Sequence, residues 1–221
     1  MERSQVSKPL LILGAGGNVY DLLDTIEAVN AVEPTWSVRG ILDDRRVIDS
    51  RYLGLPVVGR LVDAQAHADC FFASTIWNES TFRELHIILS KTGLQPSRFA
   101  TIIHPKASVS SRAKLGDGVL VHYGASIGGN VVIGEHVSIG PGAIIGHDTV
   151  FTGHTVVAAG AVVSGSVQVG GNCYIGSGSM IRQRINVGNQ SLIGLGAVVV
   201  KDVPAHSTVA GNPARPLRRA T

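Results

Sequence analysis

The sequence predicts two unlike halves, a small α/β domain at the start of the chain and an all-β parallel coil after it. Three observations carry that prediction. From Ile103 to Val199 a large apolar residue returns at every sixth position, seventeen times without an insertion. Ahead of this repeat, apolar stretches of strand length alternate with helical ones, and a glycine-rich turn follows the first. The composition agrees: glycine is 27 of 221 residues and charged residues are 16%, against roughly 25% charge in an average soluble protein. A hydrophobic content of 44% excludes a disordered chain.

In the first half, Lys8 to Leu13 reads as a buried strand, Gly14-Ala15-Gly16-Gly17 as a tight turn, and about Val19 to Val29 as a helix. Trp36 to Leu42 reads as a second strand ending in Asp43-Asp44, Cys70 to Ser74 as a third, and about Ser80 to Thr92 as a second helix. The alternation predicts a small, Rossmann-like parallel sheet covered by helices. A glycine turn between strand and helix lets backbone N–H groups approach a phosphate. The full dinucleotide fingerprint would place glycine at 19, where Val19 stands, so a purely structural turn remains an equal reading.

In the second half, the residue two before each aliphatic one is small or medium, as in Ala125, Ala143, Thr149 and Cys173. Side chains two apart on a strand share a face, so both point inward. The next positions, often glycine, turn the chain. Six residues thus make one short strand and one corner, and three sides close a coil of 18. Seventeen hexads give between five and six coils. A helical bundle is excluded, because six matches neither 3.6 nor 3.5. The chain divides accordingly into residues 1–102, 103–204 and an exit segment 205–221.

Charge and cysteine narrow the setting. Ten basic and twelve acidic residues lie in 1–102, six and four in 103–204, and three arginines close the chain. No dense basic stripe interleaved with aromatics favours nucleic acid, and the tail Arg215, Arg218 and Arg219 reads as a solvated terminus. Two cysteines are too few for a disulfide framework, which predicts a cytoplasmic protein. No apolar run nears the roughly 20 residues of a membrane span, and Leu10-Leu11-Ile12-Leu13 is too short for a signal-peptide core.

The hexads of residues 103–204, with the ending Val203-Pro204 and Ala210-Gly211-Asn212-Pro213-Ala214-Arg215, resemble the left-handed β-helix of the hexapeptide-repeat acyltransferases. Joined to the glycine turn, Asp43-Asp44 and Ile103-His104-Pro105, they are similar to one subfamily: nucleotide-sugar N-acetyltransferases and sialic-acid O-acetyltransferase-like proteins. The resemblance implies a homotrimer, with acetyl-CoA as co-substrate lying between subunits and no metal. It implies that Gly14, Gly16, Gly17, Asn18, Asp43 and Asp44 hold a nucleotide-linked amino sugar. Asn18 and Val156 stand where the subfamily commonly has histidines. The expected reaction is acetylation of the sugar's amino group in polysaccharide or glycan precursor synthesis. Acetylation of a hydroxyl, and a non-catalytic nucleotide-sugar-binding subunit, are the alternatives.

Direct acetyl transfer needs a base, and histidine suits it near neutral pH. His104 and His122, and His136 and His154, are each 18 apart and stack; these columns read as solvated faces. His147 stands at a corner with Asp148 beside it, where a carboxylate can hold one imidazole tautomer. Ile145-Gly146-His147-Asp148 resembles the subfamily's catalytic pair, with His147 as general base and Asp148 as its orienting partner. For the pantetheine arm of CoA, the resemblance points to Val156 and the corner column Ala159, Ser177 and Leu195; ordinary tight corners are the equal alternative. Repeat-borne histidines separated by 18, 14, 11 and 7 lack the close pair that a γ-class carbonic anhydrase would need.

Overall fold

The computed structural model describes residues 7–217. Strands β1 (Lys8–Leu13), β2 (Trp36–Leu42), β3 (Arg51–Tyr52), β4 (Leu55–Gly59) and β5 (Phe71–Ser74) form one sheet in the order β3-β4-β2-β1-β5. β1 is an interior strand and pairs in parallel with β2 and β5. Leu10 to Leu13 are fully buried, as a parallel strand covered on both faces requires. The crossover helix α1 (Asn18–Val32) buries Val19, Leu22, Thr25 and Ile26, and extends past both expected ends.

Two features differ from expectation. The β3–β4 hairpin was not foreseen; its turn, Leu53-Gly54, has positive φ at both residues, and leucine is no turn signal. The helix expected over Ser80–Thr92 shrinks to a 3-10 turn (Phe82–Glu84) and α2 (Leu85–Ser90). The Asn78 side chain accepts the N–H groups of Ser80 and Thr81, which holds the chain in a turn and delays the helix.

Each of the seventeen periodic apolar residues is the second residue of a two-residue strand. The strands stack in parallel with a repeat of 18, for example Ile127 on Ile145 and Ile133 on Phe151. Three faces result. Face 1 carries Ile103, Val121, Ile139, Val157, Ile175 and Ile193; face 2 starts at Val109 and face 3 at Leu115. From Val121 onward every inward residue is at most 2% exposed. The first coil departs from the rule, with Ile103 at 37%, because only one coil stacks on it. Beyond residue 204, Thr208–Ala210 adds a strand to face 1, and Arg215–Pro216 pairs antiparallel with it. Arg215 is exposed, whereas Arg218 and Arg219 lie outside the described residues. Among the described residues no helix is long and apolar enough to cross a membrane.

The α/β domain sits on face 1. The outward side chains Ile102, Leu120 and Val156 join one core cluster with Leu10, Val19, Leu22, Ile26 and Trp77. Arg83 further ties the halves by donating to the Gln190 carbonyl at 3.1 Å. Face 2 is bare by contrast: its outward Ile144 and Met180 are 47% and 54% exposed.

Candidate active site

The glycine turn after β1 is built by close contacts. Gly14 has φ +92°, and a Cβ there would lie 2.6 Å from Ile76 Cγ1, so only glycine fits. Asp43, at the end of β2, clamps the turn: one carboxylate oxygen accepts from Ala15 N at 2.7 Å, the other from Arg45 and Arg46 N at 2.8 Å each. Asp44 accepts from Leu61 N at 3.0 Å and keeps its second oxygen free among the described residues. A Cβ on Gly16 or Gly17 would meet nothing, so the start of α1 faces open space. Gly14, Ala15, Gly16, Asp43 and Asp44 border a cleft of about 590 Å³ that also takes in Arg46, Asn78 and Lys91; Gly17 is not part of its wall.

Asn18, at the first turn of α1, donates to the carbonyls of Trp77 at 2.7 Å and Thr75 at 3.2 Å. It thereby pins the loop after β5, which separates the cleft from a second cavity of about 200 Å³ between the two halves. Asn18, Trp77, His122, Val156, Ala159 and Ser177 all line this second cavity. The structure thus brings together three of the four residues assigned to CoA with one assigned to the sugar. Leu195 lies farther along the same corner column, 75% exposed.

His147 is elsewhere. It stands at the corner between faces 2 and 3, opposite the α/β domain. Its Nδ1 lies 2.7 Å from Asp148 Oδ2, and the two side chains are 71% and 49% exposed. Asp148 is held at φ 58° and accepts a second bond from Asn130 Nδ2 at 2.6 Å. The Asn130 bond first, then the His147 bond, holds the Asp148 carboxyl below the usual carboxylate range. An ionised carboxylate only accepts, so Nδ1 carries a proton and, in the neutral ring, Nε2 carries the lone pair. One coil on, a Cβ at Gly165 would come within 2.7 Å of Nε2, so that glycine makes room for the ring.

The stacked histidines are not the solvated faces expected: His104 and His122 are buried, and His136 and His154 are half-buried. His104 and His122 are 7% and 3% exposed. His136 meets Phe99 edge-on at 4.3 Å between ring centroids, and its ring lies 5.0 Å from that of His154. Burial pushes the His136 imidazole down to about 4, and it lowers His104, His122 and His154 as well. Their columns border face 1, where the α/β domain covers them. The apolar outward residues Leu120 and Val156 were the available signal that face 1 is covered.

The family model for bacterial transferase hexapeptide (six repeats) matches residues 112–147. No curated protein sequence matches the chain. Among solved structures, the acetyltransferase domain of PglB from Neisseria gonorrhoeae, seen with acetyl coenzyme A, is similar at 29% identity and a TM-score of 0.81; the match covers 96% of this chain and 100% of that one. PerB from Caulobacter crescentus, seen with CoA and GDP-perosamine, is similar at 26% identity and 0.82, covering 95% and 97%. WeeI from Acinetobacter baumannii is similar at 27% identity and 0.79, covering 94% and 99%. The parallel stack with its α/β domain is therefore the left-handed β-helix architecture of these proteins.

Proposed function

We infer that this hexapeptide-repeat acyltransferase moves an acetyl group from acetyl-CoA to the amino group of a nucleotide-linked amino-deoxy sugar. The observation that carries this reading is the His147–Asp148 pair, oriented through Nδ1 and open at Nε2. The neutral amine attacks the thioester carbonyl carbon and a C–N bond forms. The nitrogen's proton passes to His147 Nε2, the C–S bond breaks, and the CoA thiolate takes up a proton. Asp148 stabilises the imidazolium formed on the way.

One subunit cannot bring these parts together, and a trimer can. Face 2 lies between the His147 corner and the Ala159–Ser177–Leu195 corner, and it is apolar and exposed. A three-fold ring with face 2 turned to its axis sets the His147 corner of each subunit against the opposite corner of the next. That corner is glycine at every left-handed position from Gly124 to Gly196, and a Cβ at Gly142, Gly160, Gly178 or Gly196 would meet nothing. This favours a thin pantetheine arm lying along backbone there, beside the cavity that Asn18 borders. The cleft lined by Gly14, Gly16, Asp43 and Asp44 takes the nucleotide, with Arg46 and Lys91 as cations for its phosphates. Acetyl-CoA-bound PglB and GDP-perosamine-bound PerB support the donor and the acceptor class.

The test is free-thiol release from acetyl-CoA with GDP-, UDP- and dTDP-linked 4-amino sugars, with ultracentrifugation for the assembly and calorimetry with UDP, dTDP, GDP and CMP for the base. One acceptor should gain an acetyl group as a hydroxylamine-stable amide, and a trimer should sediment. An ester product would assign transfer to oxygen instead. No thiol release with any acceptor would leave the non-catalytic reading. Rate should fall as the pH is lowered and the acceptor amine takes up a proton; a flat profile down to pH 5 would contradict attack by the neutral amine.

A further inference from the structure

His122 is an imidazole the mechanism above does not use. It is 3% exposed, tilts against Trp77 at 6.1 Å between centroids, and lines the cavity between the two halves. Its Nδ1 lies 3.2 Å from Thr25 Oγ1, a buried hydroxyl on α1. That hydroxyl has one proton, which it donates to the Asp21 carbonyl at 2.8 Å. Thr25 is therefore the acceptor in its bond with His122, and His122 Nδ1 the donor. The tautomer is fixed by a neighbour on another element, and Nε2 is left with a lone pair and no hydrogen-bond partner among the described residues.

The surroundings fit a ligand rich in donors. The Asp21 side chain borders the same cavity, so a carboxylate and an imidazole lone pair both offer acceptors. The amide N–H groups of Asn18 are already taken by Thr75 and Trp77 carbonyls. An acceptor with no protein partner on the wall of an open cavity can take a hydrogen bond from a ligand's donor. Burial keeps the ring below its ordinary titration range, although the Asp21 carboxylate and the Asp21 backbone carbonyl pull partly back. It is thus an acceptor at neutral pH.

We propose that His122 is a specificity-determining residue whose Nε2 accepts a hydrogen bond from a ring hydroxyl of the acceptor sugar, a role that rests on the nucleotide-sugar reading above. The nucleotide sits in the neighbouring cleft, across the Thr75–Asn78 loop, so His122 reads the sugar and not the base. Its effect belongs to the increment in affinity that the sugar adds to the nucleotide.

Calorimetry on the full chain tests this with GDP-perosamine against GDP, and with UDP- and dTDP-linked 4-amino-4,6-dideoxy sugars against UDP and dTDP. His122→Met fills the space without the lone pair, and His122→Gln restores an acceptor. On the order of tenfold of the sugar's increment should vanish in H122M and return in H122Q, with nucleotide affinity and the KM for acetyl-CoA unchanged. An unchanged increment in H122M overturns the proposal; so does an equal loss with the bare nucleotide, which marks a structural role. Should H122M fail to fold, Thr25→Val reads the same question by releasing the tautomer, and an unchanged increment there also refutes it. If wild type binds the bare nucleotides but no sugar adds affinity, His122 has no such role; if it binds neither, the nucleotide-sugar reading falls first.

Discussion

Two groups of histidines share one solenoid and have opposite surroundings. His147 projects from the corner opposite the α/β domain, 71% exposed, with its Nδ1 engaged by a carboxylate. His136, at the corner between faces 3 and 1, packs against Phe99 with Nδ1 buried and unpartnered among the described residues. The repeat supplies the same backbone bend to both, since His136 and Asp148 have φ of 54° and 58° at equivalent corner positions. The difference comes from outside the repeat. A domain laid on face 1 covers the imidazoles along its edges, while His147 on the far corner stays exposed.

Removing the exposed imidazole should have the largest effect. His147→Ala should lower acetyl transfer by about 10²–10⁴-fold in thiol-release assays, with the thermal midpoint unmoved, because the side chain supports no packing. Near-normal turnover would put the base elsewhere and erase the contrast.

The buried group should answer to acid instead. His136 is held at about 4 in the folded protein, against roughly 6.5 unfolded, so the unfolded chain binds its proton first. Its contribution is complete above about 6.5 and is lost as pH falls toward 4, amounting to a few kcal/mol. The lowered His104, His122 and His154 act in the same direction. Urea midpoints at pH 7, 5.5 and 4.5 should therefore drop steadily, and less steeply in His136→Asn. Equal slopes in the two proteins would mean that His136 is not held neutral.

Next in size is Asp148→Asn, which should reduce kcat about 10–100-fold with little change in the KM for either substrate, by weakening the hold on the His147 tautomer. A change in KM alone would make Asp148 a binding residue. The smallest effect lies two coils beyond Asp148 on the same edge, which the α/β domain does not cover. Arg184 has φ 61°, and Arg184→Gly should raise the melting temperature by a degree or two, since glycine adopts that backbone without the Cβ penalty.

Much of this was legible before any coordinates. The hexad fixes each inward residue by arithmetic, and it placed Ile127, Ile145 and Phe151 correctly because strand alternation admits no other arrangement. The glycine turn and Asp43-Asp44 were visible as types, yet not as a unit, since the clamp from Asp43 onto Ala15 joins residues 28 apart. His122 escaped because its role depends on Thr25, 97 residues away on another element. Val156 and Asn18 were named for different ligands, and only three-dimensional packing puts both on one cavity. A period tells a side chain which way to point. It does not say what will be waiting there.

The three-sided coil also limits how the chain can change in length. Six residues gained or lost would leave every aliphatic side chain on the axis and the interior dry. Everything downstream would nonetheless rotate by a third of a turn, carrying each corner to a different edge of the prism. Only a step of eighteen, the spacing that sets Ile127 on Ile145, restores the original edge. Insertions harmless to folding can therefore abolish activity, and viable length variants should differ by whole storeys.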